Sequence, residues 1–338
     1  MTKRINLALQ GGGAHGAFTW GVLDRLLDDD EIEIAGISGT SAGALNGAAL
    51  KAGIIEGGRE GARANLDWLW NEVAGIGDLR LADWMSALFP APGLISRSIE
   101  YSLPFSLADA ASRVFSPYAY GVFYRNPLTD IVRRFHYDAV CATSGPAFFV
   151  CATNVRTGKI RVFSGAEIGT DTILASTCLP TIFQAVEIDG DAYWDGGYTG
   201  NPALFPLFGP DLPDDIIIVN INPLERAEVP KDAPAILNRI NEISFNSSLL
   251  RELRAINFVK RLIGDGHVKK GAMKDVNVHM IADDALMTEL GVATKMVPSP
   301  SVIMALKEAG RTAADSFLGA HRDKLGKTSS IDFADMYD

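Results

Sequence analysis

Apolar positions alternate between two rhythms over the first fifty residues. Ile5 to Gln10 is a short, nearly continuous apolar run of the kind carried by a strand buried on both faces, and a glycine cluster ends it. Phe18 to Leu27 then repeats at helical spacing, Ile32 to Ser38 reads as a second strand, and a second helix is expected from about Ala42. Strand, helix, strand, helix is the pattern of a parallel sheet with crossover helices. Further strands are expected at Ala147 to Thr153, Ile160 to Phe163, Ile216 to Asn220 and Val276 to Ile281. The fold class is therefore α/β, with no internal repeat and no low-complexity segment.

Two regions depart from this rhythm. Residues 79 to 127 gather Trp84, Phe89, Tyr101, Phe105, Phe115, Tyr118, Tyr120, Phe123 and Tyr124 among scattered Pro and Ser, which suggests a helical insertion that covers an apolar pocket or acts as a lid. Beyond about residue 223 the chain turns helical. Ile236, Ile240 and Ile243, then Leu249, Leu253 and Ile256, step by three and four opposite Arg239, Arg251 and Arg254, and both sets are expected on the packed face of a helix.

Composition narrows the function classes. With 47% hydrophobic and 21% charged residues, the 338-residue chain can bury a large core, which excludes disorder for most of it. Acidic residues outnumber basic ones, 41 to 31, for a net charge of −10, so the basic footprint of a nucleic-acid partner is missing. The same balance argues against tight docking on anionic bilayers and leaves only transient contact with a membrane or lipid surface. No run of about 18 apolar residues occurs, and the N-terminal stretch breaks into glycines too early for a signal-peptide core, so a soluble, cytoplasmic protein is expected. Cys141, Cys151 and Cys178 are odd in number and lack metal-ligand spacing, which points to buried reduced thiols and no metal.

The chemistry-bearing segments begin at Gly11-Gly12-Gly13-Ala14-His15-Gly16, between the first strand and the first helix. Successive backbone N–H groups at a helix N-terminus make a concave anion site, and two functions use one: a dinucleotide fingerprint, since Gly11, Gly13 and Gly16 satisfy G-x-G-x-x-G, or an oxyanion hole. A dinucleotide site wants an acidic residue near the end of the second strand, but Glu31 and Glu33 lie at its beginning. Its end reads Gly39-Thr40-Ser41-Ala42-Gly43, a G-x-S-x-G that lets a serine sit on a tight strand-to-helix turn. Taken alone, Ser38 or Ser41 could simply cap the next helix.

A serine nucleophile needs a base. Among the five histidines, His15 lies inside the glycine loop, where loop packing or support of the site is expected more than a direct role. His136 and His321 fit polar helical surfaces, His279 fits a strand and His267 a loop; a Ser-His-Asp arrangement would require His267, His279 or His321. The last signal is Tyr193-Trp194-Asp195-Gly196-Gly197, which in isolation is a turn.

Together and in this order, the glycine loop, the Gly39-Thr40-Ser41-Ala42-Gly43 elbow and the distant Asp195-Gly196-Gly197 resemble the patatin-like phospholipases, as does the approach from Ala175-Ser176-Thr177-Cys178-Leu179-Pro180 and the following Asn201-Pro202. The resemblance covers roughly residues 5 to 222. It implies a three-layer α/β/α catalytic domain with a central, mostly parallel sheet; residues 223 to 338, which it does not cover, read from their own spacing as a mainly helical extension packed on the same domain. It also implies a Ser-Asp dyad without histidine. Ser41 is then the nucleophile and Asp195 the general base; the N–H groups of Gly11, Gly12, Gly13 and Ala42 are oxyanion donors, with Gly16, Gly39, Gly43, Gly196 and Gly197 supporting the turns. The expected activity is hydrolysis of lipid or other aliphatic acyl esters without a cofactor. A storage-polyester depolymerase, a general carboxylesterase, a noncatalytic lipid-binding protein and a dinucleotide-binding oxidoreductase are the alternatives. The family's loop often carries Arg or Lys where this chain has His15.

Overall fold

The computed structural model describes residues 2–76, 92–100, 116–269, 271–333 and 336. Of the aromatic insertion, Trp84, Phe89, Tyr101, Phe105 and Phe115 lie outside the described residues, as do the Tyr120 and Phe123 side chains, and with them the pocket or lid expected there.

The strands are β1 (Lys3–Leu9), β2 (Ile32–Thr40), β3 (Ala147–Asn154), β4 (Ile160–Ser164), β5 (Val186–Ile188), β6 (Asp191–Asp195), β7 (Asp215–Val219) and β8 (Asn277–Ile281). They form one sheet in the order β5-β6-β3-β2-β1-β7-β8, with β4 paired to β3. The pairs β3-β2, β2-β1, β1-β7 and β7-β8 are parallel, while β3-β4, β3-β6 and β6-β5 are antiparallel. All the strands read from the apolar pattern are present within two residues of their ends.

The principal helices are α1 (Gly16–Leu26), α2 (Ala42–Ile76), α3 (Pro92–Glu100), α4 (Thr170–Ser176), α5 (Ala233–Gly264), α6 (Asp284–Glu289), α7 (Val292–Met296) and α8 (Pro300–His321). Side chains alternate across the sheet and so sort the core into two layers. Leu7, Leu9, Ile217 and Val219 join α1, α2 and α8 on one face, whereas Ala8, Ile216, Ile218 and Val278 join Leu249, Leu253 and Ile256 of α5 on the other. The result is a three-layer α/β/α fold. None of the helices among the described residues is long and apolar enough to cross a membrane.

Residues beyond 223 are built into this frame. β8 extends the sheet, and α8 crosses α1 in backbone contact: a Cβ at Gly21 would lie 1.8 Å from Lys307 O, and one at Gly310 would lie 2.0 Å from Phe18 O. Arg63 of α2 and Arg311 of α8 both pair with Asp24 and Asp28, which ties the three helices together.

α5 corrects one expectation. Ile236, Ile240 and Ile243 are 41%, 54% and 54% exposed, while Leu249, Leu253 and Ile256 are buried. At about 100° per residue the two sets stand on nearly opposite sides of one helix, so a single straight helix cannot bury both. The N-terminal half of α5 instead turns Asn238, Glu242 and Asn246 inward, because it packs on a polar cluster beneath the glycine loop.

Candidate active site

Two neighbouring residues of β3 bring the sequence-predicted centre together. Cys151 partners Thr40 at the end of β2 and Ala152 partners Asp195 at the end of β6, so Ser41 and Asp195 leave their strands side by side. Ser41 takes the left-handed conformation, φ 54°, that a sharp strand-to-helix turn imposes, a strained backbone for a residue with a Cβ. Its N–H donates to Ser176 Oγ at 2.9 Å, and Ser176 Oγ donates in turn to Cys151 O at 2.7 Å. α4 thereby holds the elbow from behind. α2 starts at Ala42, so its N-terminal N–H groups and the positive end of its dipole face the serine.

The glycines of the two motifs make this turn possible by close approach. A Cβ at Gly43 would lie 2.0 Å from Leu9 O, one at Gly39 2.5 Å from Gly43 O, and one at Gly16 2.6 Å from Ala42 Cβ. Gly11 lies directly against Ser41, since its Cβ would meet Ser41 Cβ at 2.5 Å. Gly196 meets Cys151 O in the same way at 2.3 Å, so no side chain fits at that step of the Asp195 turn.

Asp195 is wholly buried. Its Oδ1 accepts the Gly197 N–H at 2.7 Å and caps the turn that follows, its N–H donates to Cys178 O at 2.8 Å, and its carbonyl accepts from Thr153 Oγ1 at 2.8 Å. Burial pushes the carboxyl up to about 7, with the Gly197 N–H and the Ser41 hydroxyl pulling it part of the way back. Ser41 is thus near enough to act on the carboxylate, yet no contact between them meets hydrogen-bond geometry, and Oδ2 has no partner among the described residues. The pair is adjacent and open, and the free Oδ2 is the atom available to a proton.

The glycine loop narrows the set of oxyanion donors. Gly11 N–H is committed to Asn201 Oδ1 at 2.6 Å, and so is removed from the expected four. Gly12 and Gly13 N–H have no partner among the described residues, nor does Ala42 N–H. Gly13 has φ 60°, and a Cβ on it would lie 2.3 Å from Lys295 O of α7.

His15 is fully buried, with Nε2 2.9 Å from Thr294 Oγ1. Thr294 Oγ1 donates its own proton to Gly291 O at 3.0 Å, so the Nε2–H tautomer is assigned and Nδ1 is the unpartnered acceptor. Burial, then the charge of Lys295, holds the imidazole well below its ordinary pKa, so it is neutral. His15 supports the loop from beneath. The other histidines stand elsewhere: His279 pairs with Asp215 across β8 and β7, His136 with Glu56, His321 packs on Phe317, and His267 is an exposed loop residue. None bonds Ser41 or Asp195 among the described residues. The three cysteines are free.

A buried amide network beneath the loop has no motif in the sequence. Gln10 Oε1 accepts from the N–H groups of Ile221 and Asn222, Gln10 Nε2 donates to Asn246 Oδ1 at 3.1 Å, and Asn222 Nδ2 donates to Gly11 O at 2.8 Å. Asn201, within the segment that follows Asp195, is the member whose position the sequence resemblance did mark.

No curated protein matches the chain. Among solved structures, VipD from Legionella pneumophila matches 98% of this chain and 72% of its own at 13% identity and a TM-score of 0.45. The family model for patatin-like phospholipase matches residues 7–208, more than half of the chain and the whole span from the glycine loop through Ser41 to Asp195, and the chain therefore belongs to the patatin-like phospholipase family.

Proposed function

We propose that the protein hydrolyses aliphatic acyl esters of lipids through a Ser41–Asp195 dyad. The observation that carries this reading is the strained Ser41 at the N-terminus of α2, beside a wholly buried carboxyl whose pKa is about 7 and whose Oδ2 is free. A carboxylate of ordinary pKa is a poor base for a hydroxyl, whereas one near 7 has its proton affinity matched to neutral pH.

In the first step Asp195 Oδ2 takes the Ser41 proton as Oγ attacks the ester carbonyl. The developing oxyanion faces Gly12, Gly13 and Ala42 N–H, each such donor being worth on the order of 3 kcal/mol in serine hydrolases. Collapse expels the alcohol, which leaves with the proton held by Asp195. Water then gives a proton to Asp195, attacks the acyl-serine, and releases the acid while Ser41 recovers its proton.

Labelling with a fluorophosphonate probe, run beside p-nitrophenyl ester turnover, tests the reading. Wild-type protein is expected to be labelled and active, Ser41→Ala to lose both, and Asp195→Asn to lose turnover. Labelling that persists in Ser41→Ala sinks the assignment, and a wild type that neither labels nor turns over favours a noncatalytic lipid-binding protein.

A further inference from the structure

Beneath the glycine loop, α7 inserts residues that lie outside the span matched by the family model. Lys295 Nζ donates to Asn222 Oδ1 at 3.2 Å, and Asn222 Nδ2 donates to Gly11 O at 2.8 Å. Gly11 C=O and Gly12 N–H belong to one peptide unit. A donor drawn onto that carbonyl oxygen withdraws electron density from the amide and strengthens its N–H as a donor, and a cation behind the donor strengthens it further. Asn201 Nδ2 adds a longer bond to the same oxygen at 3.4 Å.

We propose, resting on the acyl-hydrolase reading above, that Lys295 is a positioning residue for the oxyanion site: through Asn222 it orients and polarises the Gly11–Gly12 peptide so that Gly12 N–H meets the tetrahedral intermediate. His15 in the loop itself is neutral, so the charge behind the Gly11 carbonyl comes from α7. The backbone of α7 is seated for this task, because Lys295 O rests against Gly13 so closely that no side chain fits there.

The groups around the ammonium define when it is charged. Glu242 of α5 favours the charged form, and Arg226, in the loop after β7, opposes it; Glu242 is itself shared with Arg226, Arg239 and Asn238. His15 below the loop is neutral, and α3, packed against α7, contributes the non-ionisable Ser96, which accepts Gly291 N–H at 2.9 Å. The residue keeps some exposed surface, yet desolvation of the ammonium dominates and brings it down to about 8. Lys295 is therefore charged below pH 8 and loses the proton, and with it the polarising charge, above.

The test is the pH profile of kcat and KM for a p-nitrophenyl ester in wild type, Lys295→Arg, Lys295→Met, Asn222→Ala and Asn222→Ala/Lys295→Met. Wild-type kcat is expected to fall above about pH 8. Lys295→Arg keeps most of the activity and loses the alkaline fall, because guanidinium stays charged. Lys295→Met lowers kcat about tenfold at neutral pH with KM little changed, and adds little once Asn222 is already Ala. If Lys295→Met unfolds, the Arg variant decides alone, since an alkaline limb unchanged from wild type overturns the proposal. Wild-type kcat and profile in Lys295→Met, with Ser41→Ala dead, overturn it and leave the dyad standing. Undiminished turnover in Ser41→Ala removes both.

Discussion

A carboxyl buried without a full set of donors should make the fold less stable at the pH where the site works. Asp195 has an ordinary carboxyl pKa of 3.8 to start from and about 7 in the folded protein. Its folded value is raised, so between those two values the folded state holds a proton that the unfolded state has lost, and stability falls as pH rises through that window. A shift of about three units corresponds to roughly 4 kcal/mol, a ceiling reached above pH 7 and gone below about pH 4. Asn has nearly the same shape, retains an oxygen for the Gly197 N–H and carries no charge. Asp195→Asn is therefore expected to be inactive and more stable, by about 2–4 kcal/mol at pH 8, or roughly 3–6 °C in melting temperature, with the difference vanishing toward pH 4. Thermal unfolding of both proteins from pH 4 to 8.5 measures it. A difference that does not change with pH, or a variant that is less stable at pH 8, would mean that the carboxylate is not desolvated in the folded state, and the argument for its role as base would go with it.

Two further outcomes follow from the geometry. In the wild type, kcat/KM for a p-nitrophenyl ester should rise with pH through an apparent pKa near 7, because only the ionised Asp195 accepts the Ser41 proton; an acid limb near 4 would contradict the raised pKa. Gly310→Ala should cost about 1–3 kcal/mol in urea unfolding, because its Cβ would fall 2.0 Å from Phe18 O and force α1 and α8 apart, whereas an unchanged midpoint would show that the helices are not in backbone contact.

The sheet was legible wherever a strand is buried on both faces. β1, β2, β3, β7 and β8 are predominantly apolar along most of their length, which is what two covering layers of helix demand. β5 and β6 lack that signature because they form an edge hairpin, three and five residues long, most of whose side chains are only partly covered. Their signal was a different one: Asp189 and Gly190, with φ 52° and 83°, make a two-residue turn of the primed kind for which Asp-Gly is a preferred pair. That hairpin matters for function, since β6 is the strand that delivers Asp195 to β3. The phase error on α5 has the opposite cause. Its isoleucines repeat at helical spacing, but the rotation of the helix was decided by Glu242 and Asn246 seeking partners that arrive from Arg226, Gln10 and Asn222, remote in sequence.

The same contrast runs through the site. Motifs mark positions where the backbone itself must do something unusual, such as the left-handed turn at Ser41 or the collision distances at Gly11, Gly39, Gly43 and Gly196, because these leave no choice of residue at short range. The groups that tune the backbone are under no such local constraint. Asn201, Asn222 and Lys295 reach the Gly11 peptide from 190, 211 and 284 residues along the chain, directly or through one another, and any residue with a donor at the right place could serve. Sequence spacing therefore marks where the proposed reaction takes place. On that reading, how strongly the oxyanion is held depends on a second set of residues that only folding assembles, and one of its members, Lys295, stands on a helix that the family model does not reach.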